Sequence, residues 1–334
     1  MRKSGLLINR LIARRELGIV VVSTATFITF STIAPRFASV PNVLAIVREA
    51  SLLGVISVGM TFLLIAGEFD LSVGANFGFL LTCLAYLTVL HKVNPFAAGA
   101  MIMLLGSAVG IMNGLLVTQA RLQSFIATLG SMAILRGAAV IISGGYPVST
   151  RNEDQFFYRS IGGHWLWRFP NLSLAMATVF IAGGILLAKT RFGAAIYATG
   201  GDSEAASCNG IDTARVKVIC FAITGGLCGL AAVLMFGWIG LAPYNAGNGF
   251  ELKAIAAAVV GGTSLFGGRG TVFGTFVGLL LLGMLTNGLI LTGVRQFWDG
   301  VATGVLIICV AALDQFVRRS AVMMAQRYAM ATDL

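Results

Sequence analysis

The residues through which this chain could act on another molecule are thirteen Asp and Glu, two His and five Cys. His91 and His164 stand apart from each other and from any carboxylate pair at ligand spacing, so neither suits a zinc site nor a His-centred catalyst. Cys83, Cys220, Cys228 and Cys309 fall in apolar runs and Cys208 in a polar one; no paired spacing suggests a disulfide framework or a metal. Serines in the apolar runs have no histidine partner there, which argues against an intramembrane hydrolase. The stretch from Gly183 to Thr190 nearly spells a phosphate loop, but Ala188 replaces the glycine before Lys189-Thr190 and an apolar run replaces the strand. Gly267-Gly268-Arg269-Gly270 likewise fails the dinucleotide fingerprint. No catalytic residue and no metal ligand is assigned.

A different chemistry remains, that of charges placed inside apolar sequence. Arg136 sits within such a run, where an unpaired charge is costly, and Asp70 or Asp299 could be its partner. Without a chain of intramembrane acids, a structural pairing fits it better than proton transport. Gly67-Glu68-Phe69-Asp70-Leu71-Ser72-Val73-Gly74 interrupts one apolar region, and Gly247-Asn248-Gly249-Phe250-Glu251-Leu252 repeats the order glycine, Phe, acid, Leu. In each copy the acid can cap the helix that follows. Glu68, Asp70, Arg136 and Glu251 are therefore assigned structural or gating roles.

A polar segment, residues 189–215, separates two long apolar runs. Within it Thr199-Gly200-Gly201-Asp202-Ser203 supplies a loop and an N-cap, and residues 204–208 form about one and a half helical turns before Gly210 stops them. A helix too short to persist alone in water needs a docking surface, which predicts a lever gripped by a soluble partner. The same spacing also fits an ordinary connection between two spans.

Hydrophobic residues make up 57% and charged residues 11% of the chain, against about 25% charged in an average soluble domain. The expected fold is an all-α, polytopic membrane helix bundle. Its net charge of +10 clusters at the ends of apolar runs, which points to membrane orientation and not to nucleic acid. About ten spans are expected, at 17–33, 50–66, 73–90, 96–118, 125–142, 172–188, 216–240, 252–266, 272–291 and 297–316. Residues 1–16 then form a basic cytoplasmic N-terminus, 17–316 the transmembrane domain and 317–334 a cytoplasmic tail. Of the 23 Lys and Arg, fourteen fall on the inner side and eight on the outer, Arg136 being within a span. The segment 189–215 is then cytoplasmic. The external loop 143–171, polar and aromatic, suits docking of an external protein as well as it suits a simple solvated loop. The two interruptions fall at opposite faces in this topology, as an inverted repeat relating spans two to five to spans seven to ten would place them. Gly106, Gly110 and Gly114, and again Gly270, Gly274 and Gly278, form smooth stripes for close helix packing.

These residues carry a resemblance. Glu204-Ala205-Ala206, followed after three residues by Gly210-Ile211, resembles the coupling motif of ABC importer permeases. The run from Gly261 to Thr271 with Gly274-Thr275, the segment Asp70-Leu71-Ser72-Val73-Gly74, and Thr128-Leu129-Gly130 with Leu135-Arg136-Gly137 resemble the ribose/xylose/galactose-type monosaccharide permeases. Glu68 departs from the pattern, at a position commonly small or apolar. The resemblance implies a multi-pass inner-membrane permease subunit, with no cofactor of its own, that passes a monosaccharide or related polyol inward. It implies a second permease copy, as a homodimer or a paired permease, an external or periplasmic solute-binding protein, and a cytoplasmic ATP-binding subunit that holds ATP and Mg. It assigns Gly201, Asp202, Glu204, Ala205, Ala206 and Gly210 to the ATPase-coupling element. A neutral solute calls for hydrogen-bonding groups and aromatic faces, for which Asn76, Asn113, Asn287 and Trp298 are pathway candidates, each equally able to serve as an interhelical bond or interfacial anchor. The alternatives are an ion-gradient secondary transporter and a branched-chain amino acid ABC permease.

Overall fold

The structure, a computed structural model, describes residues 15–149, 155–165 and 169–294, with residues 300, 301, 304, 305 and 308 beyond them. The described residues form a membrane helix bundle in which the elements follow the apolar runs. Helix α1 (Arg15–Ile33) succeeds the basic start. Helix α2 (Val40–Ile65) begins earlier than the span placed at 50–66, because Pro41 in its first turn needs no amide partner and the apolar pattern extends back to it. Helices α3 (Val73–Val89), α4 (Pro95–Thr118) and α5 (Ser124–Ser143) follow. Asn94 caps α4 by accepting from Phe96 N and Ala97 N, and left-handed Gly144 closes α5. After the short α6 (Gln155–Gly162) come α7 (Asn171–Lys189), α8 (Arg191–Gly201), α9 (Ser203–Cys208), α10 (Thr213–Ile239), α11 (Phe250–Val260) and α12 (Val272–Leu291). Six of these, α2, α4, α5, α7, α10 and α12, are long and apolar enough to cross a membrane.

Two expectations need correction. The stretch 252–266 is not one span: α11 is an 11-residue helix, about 16 Å long, roughly half the hydrocarbon thickness. Gly261 caps it and Gly262, at φ 93°, turns the chain away, so Leu265 and Phe266 belong to a loop. Gly270 is not on the stripe with Gly274 and Gly278; it lies in extended chain ahead of α12, whose N-cap is Thr271. The final span, residues 297–316, lies largely outside the described residues, as do 1–14 and the tail.

Helix α2 is the central element. It is buried almost continuously from Ala50 to Ile65, which matches a sequence that is apolar on every face. Glycines set the closest approaches around it. Gly59 meets Thr224 of α10, and Gly54 and Gly183 admit Met176 and Val58 between α2 and α7. The stripe Gly106, Gly110, Gly114 lies against Gly225, Phe221 and Val218, so α4 and α10 run backbone to backbone. Gly274 and Gly278 lie in the same way against Gly261 and Ala257 at the end of α11. At the end of the bundle opposite α9, Phe157 of α6 is fully buried, with its ring edge-on to Phe96 and tilted against Phe236. There β1 (Val148–Ser149) pairs antiparallel with β4 (Leu241–Ala242), while β2 (His164–Trp165) pairs with β3 (Phe169–Pro170). Part of the expected external loop is thus packed structure; Glu153, Asp154 and Trp167 lie outside the described residues.

Candidate coupling element and buried polar network

The polar segment after α7 holds two helices where the sequence suggested one. Thr190 Oγ1 accepts from Gly193 N and starts α8, and Asp202 Oδ1 accepts from Glu204 N and Ala205 N, both at 3.0 Å, to start α9. Gly210, at φ 82°, ends α9, and Asp212 caps α10 by accepting from Arg215 N. Of the six assigned coupling residues, Ala206 is buried and holds α9 down, while Gly201, Asp202, Glu204, Ala205 and Gly210 are exposed. The five exposed residues therefore lie along one short surface segment around α9. Behind it three backbones meet. Gly268 N donates to Ile65 O at 2.8 Å, Gly200 closes over the same carbonyl, and Gly267 lies on Gly200. A Cβ at Gly200 would overlap Ile65 O, so only glycine fits. Tyr197 of α8 donates to Gly270 O at 2.7 Å, tying the same loop to α8.

The two glycine-acid interruptions come together in the structure. The chain after α10 turns back into the bundle, so that Gly247 lies on Gly74 and Ala246 on Gly78, with Phe77 stacked on Phe250 at 5.3 Å. Asp70, 2% exposed, accepts from Ser72 N at 2.7 Å and Ser72 Oγ at 2.6 Å, just ahead of α3. Ser72 Oγ accepts from Asn113 Nδ2, whose Oδ1 accepts from Ser131 Oγ, and Leu71 N donates to Thr128 Oγ1. A relay of hydrogen bonds thus runs from the carboxylate through Ser72 to Asn113 of α4 and Ser131 of α5, just ahead of a helix N-terminus, where the dipole favours negative charge. Glu251 does not cap α11; it stands in its first turn, behind the left-handed N-cap Gly249, and accepts from Arg136 Nη2 at 2.9 Å. The partner of Arg136 is therefore Glu251, and Asp70 is held by neutral donors; Asp299 lies outside the described residues.

The pathway candidates separate. Asn113 belongs to the Asp70 network, and Asn287 exchanges two hydrogen bonds with Asn42 across α12 and α2, at 2.9 and 3.1 Å. Asn76 is buried with no partner for its Oδ1 among the described residues; Trp298 lies outside them. Sequence reasoning missed Lys217, whose Nζ is 2.7 Å from Glu68 Oε1, and the hydroxyls of Thr128 and Ser131. The only signal for Lys217 was a charge one turn inside α10.

A family model described as the branched-chain amino acid transport system / permease component matches residues 42–311. The chain belongs to this permease family. The permease is 37% identical over 287 residues to the ribose import permease protein RbsC of Escherichia coli (strain K12), which covers 85% of this chain and 88% of that one. It is 34% identical over 302 residues to the L-arabinose ABC transporter permease protein AraH of Azospirillum brasilense, covering 90% and 88%. It is 37% identical over 295 residues to the D-allose transport system permease protein AlsC of E. coli (strain K12), covering 87% and 88%. No solved structure matches the chain. The permease is thus a multi-pass membrane transport subunit, as the resemblance implied.

Proposed function

We propose that this permease forms the membrane pathway of an ATP-driven ABC importer for a monosaccharide. The observation that carries this reading is the exposed, Asp202-capped helix α9, presented at one end of a bundle whose relatives are named for ribose, L-arabinose and D-allose transport. In this reading α9 docks on a cytoplasmic ATP-binding subunit, which holds ATP and Mg. An external binding protein delivers the sugar at the end that carries α6, and a second copy of the permease completes the pathway. Closure of the ATPase displaces α9, and the bundle converts that displacement into alternating access, because packed helices move between discrete arrangements.

The finer topology belongs to the same proposal. Ten membrane segments, counting the half-length α11, with both termini cytoplasmic, put α9 inside the cell. An inverted repeat pairing α2, α3 and α4 with α10, α11 and α12 is supported by three parallels. Each half has a long helix followed by a short one, the starts of the two short helices meet at Gly74 and Gly247, and each third helix packs through glycines. The experiment is uptake of labelled pentoses, hexoses, polyols and branched-chain amino acids by cells expressing the permease with its ATPase and binding protein. Selective uptake of a monosaccharide supports the reading. Uptake of leucine or valine in its place overturns it.

A further inference from the structure

The turn between α2 and α3, residues 66–72, is held on two flanks by the chain that leads into and out of α9. On the first flank, Gly200, two residues ahead of Asp202, the N-cap of α9, presses on Ile65 O where α2 enters the turn, while the hydrogen bond to that carbonyl comes from Gly268 N of the loop ahead of α12. On the second, Lys217 Nζ meets Glu68 Oε1 at 2.7 Å, with side chains 21% and 12% exposed, and Lys217 lies in the first turns of α10, just after α9. The far end of the turn is bonded into the bundle, through Ser72 to Asn113 of α4 and through Leu71 to Thr128 of α5. A turn pressed by Gly200 and tied by Lys217 on one side, and hydrogen-bonded into the bundle on the other, has no position of its own. Whatever displaces the chain around α9 displaces the turn, and the turn carries the anchored ends of α3, α4 and α5.

We propose that Glu68 and Lys217 form an electrostatic clamp that delivers the movement of α9 to the α2–α3 turn and so to the Asp70 network. The proposal rests on the reading of α9 as the ATPase contact. Of the two flanks, the contact of Gly200 with Ile65 O resists compression only, since the hydrogen bond at that carbonyl comes from Gly268 and not from the α9 chain, whereas the ion pair resists separation as well. Removing either charge leaves the glycine contact to push with nothing to pull. Glu68 and Lys217 are positioning residues, acting through the turn. The carboxylate at 68 is the departure from the family pattern noted in the sequence, and the pairing gives it a use. The clamp predicts that losing one charge uncouples transport from hydrolysis without undoing assembly.

The test is the number of ATP hydrolysed per sugar taken up, in vesicles holding the whole complex with its binding protein. Glu68→Gln and Lys217→Met are each expected to lower uptake about tenfold while hydrolysis falls less than about threefold, with the ATPase still co-purifying. The exchange Glu68→Lys with Lys217→Glu re-forms the pair with reversed polarity and is expected to bring the ratio back to within about twofold of wild type. Wild-type ratios in both single variants overturn the clamp, and so does an exchanged double variant no better than either. Parallel loss of uptake, hydrolysis and the thermal transition of the purified complex also overturns it, because the pair would then hold the fold and transmit nothing. Wild-type vesicles that take up sugar without ATP would refute the importer reading itself, a result visible before any variant is compared.

Discussion

Arg136 and Glu251 show why a buried charge is read through its partner. Glu251 has a side chain 10% exposed and Arg136 one 40% exposed, so the carboxylate depends on the guanidinium more than the reverse. Arg136→Leu, which strands Glu251, is expected to destabilise the detergent-solubilised permease by about 2–4 kcal/mol, and Arg136→Leu with Glu251→Leu by less. Thermal unfolding of the three proteins checks the order; a double variant worse than the single would contradict it. A second pair of neighbours makes a sharper contrast. Alanine at Gly200 overlaps Ile65 O and is expected to cost about 3 kcal/mol or more, whereas Gly201 has nothing within 4 Å and its alanine variant is expected to unfold at the wild-type temperature. The sequence revealed the glycines of this stretch but not which of them touches another backbone, because that contact is made by residues far along the chain.

At the scale of elements, the glycine rows test helix packing. Gly110 of α4 presses on the Phe221 carbonyl of α10, and Gly110→Leu is expected to separate the two helices and abolish the folded permease in detergent. Gly137 of α5 has open space, and Gly137→Ala is expected to be neutral or to stabilise by about 0.5–1 kcal/mol. Helix α9 was legible because its start and stop are local signals, Asp202 and Gly210, six residues of helix between them. Since Glu204 is exposed, Glu204→Arg is expected to leave the thermal transition unchanged while the amount of ATPase captured by the tagged permease falls severalfold. Equal capture would remove Glu204 from the interface. Helix α8 was missed because Gly200 and Gly201 at its end read as loop, although Gly200 is there to let another backbone approach. The length of α11 was overread because Leu265 and Phe266 continue its apolar run past the glycines that end it.

For the whole molecule, composition and basic residues were enough to read a membrane bundle, and the motifs were enough to reach the permease family. The pairings that organise its interior were not legible. Arg136 and Glu251 are 115 residues apart and Lys217 and Glu68 are 149 apart, and no local period links them. Only the return of the chain after α10 into the bundle, and the packing of α10 beside the α2–α3 turn, make them neighbours. The same return brings the two acid-bearing interruptions into contact at Gly74 and Gly247, which a reading of spans alone separates to opposite faces. In the proposed function, ATP works this bundle through α9. Vesicles containing the permease, its ATPase and its binding protein are loaded with ATP or given an imposed ion gradient, and uptake of a labelled monosaccharide is followed in each. Uptake that needs internal ATP and is unaffected by ionophores is the predicted result; uptake driven by the gradient alone would contradict it.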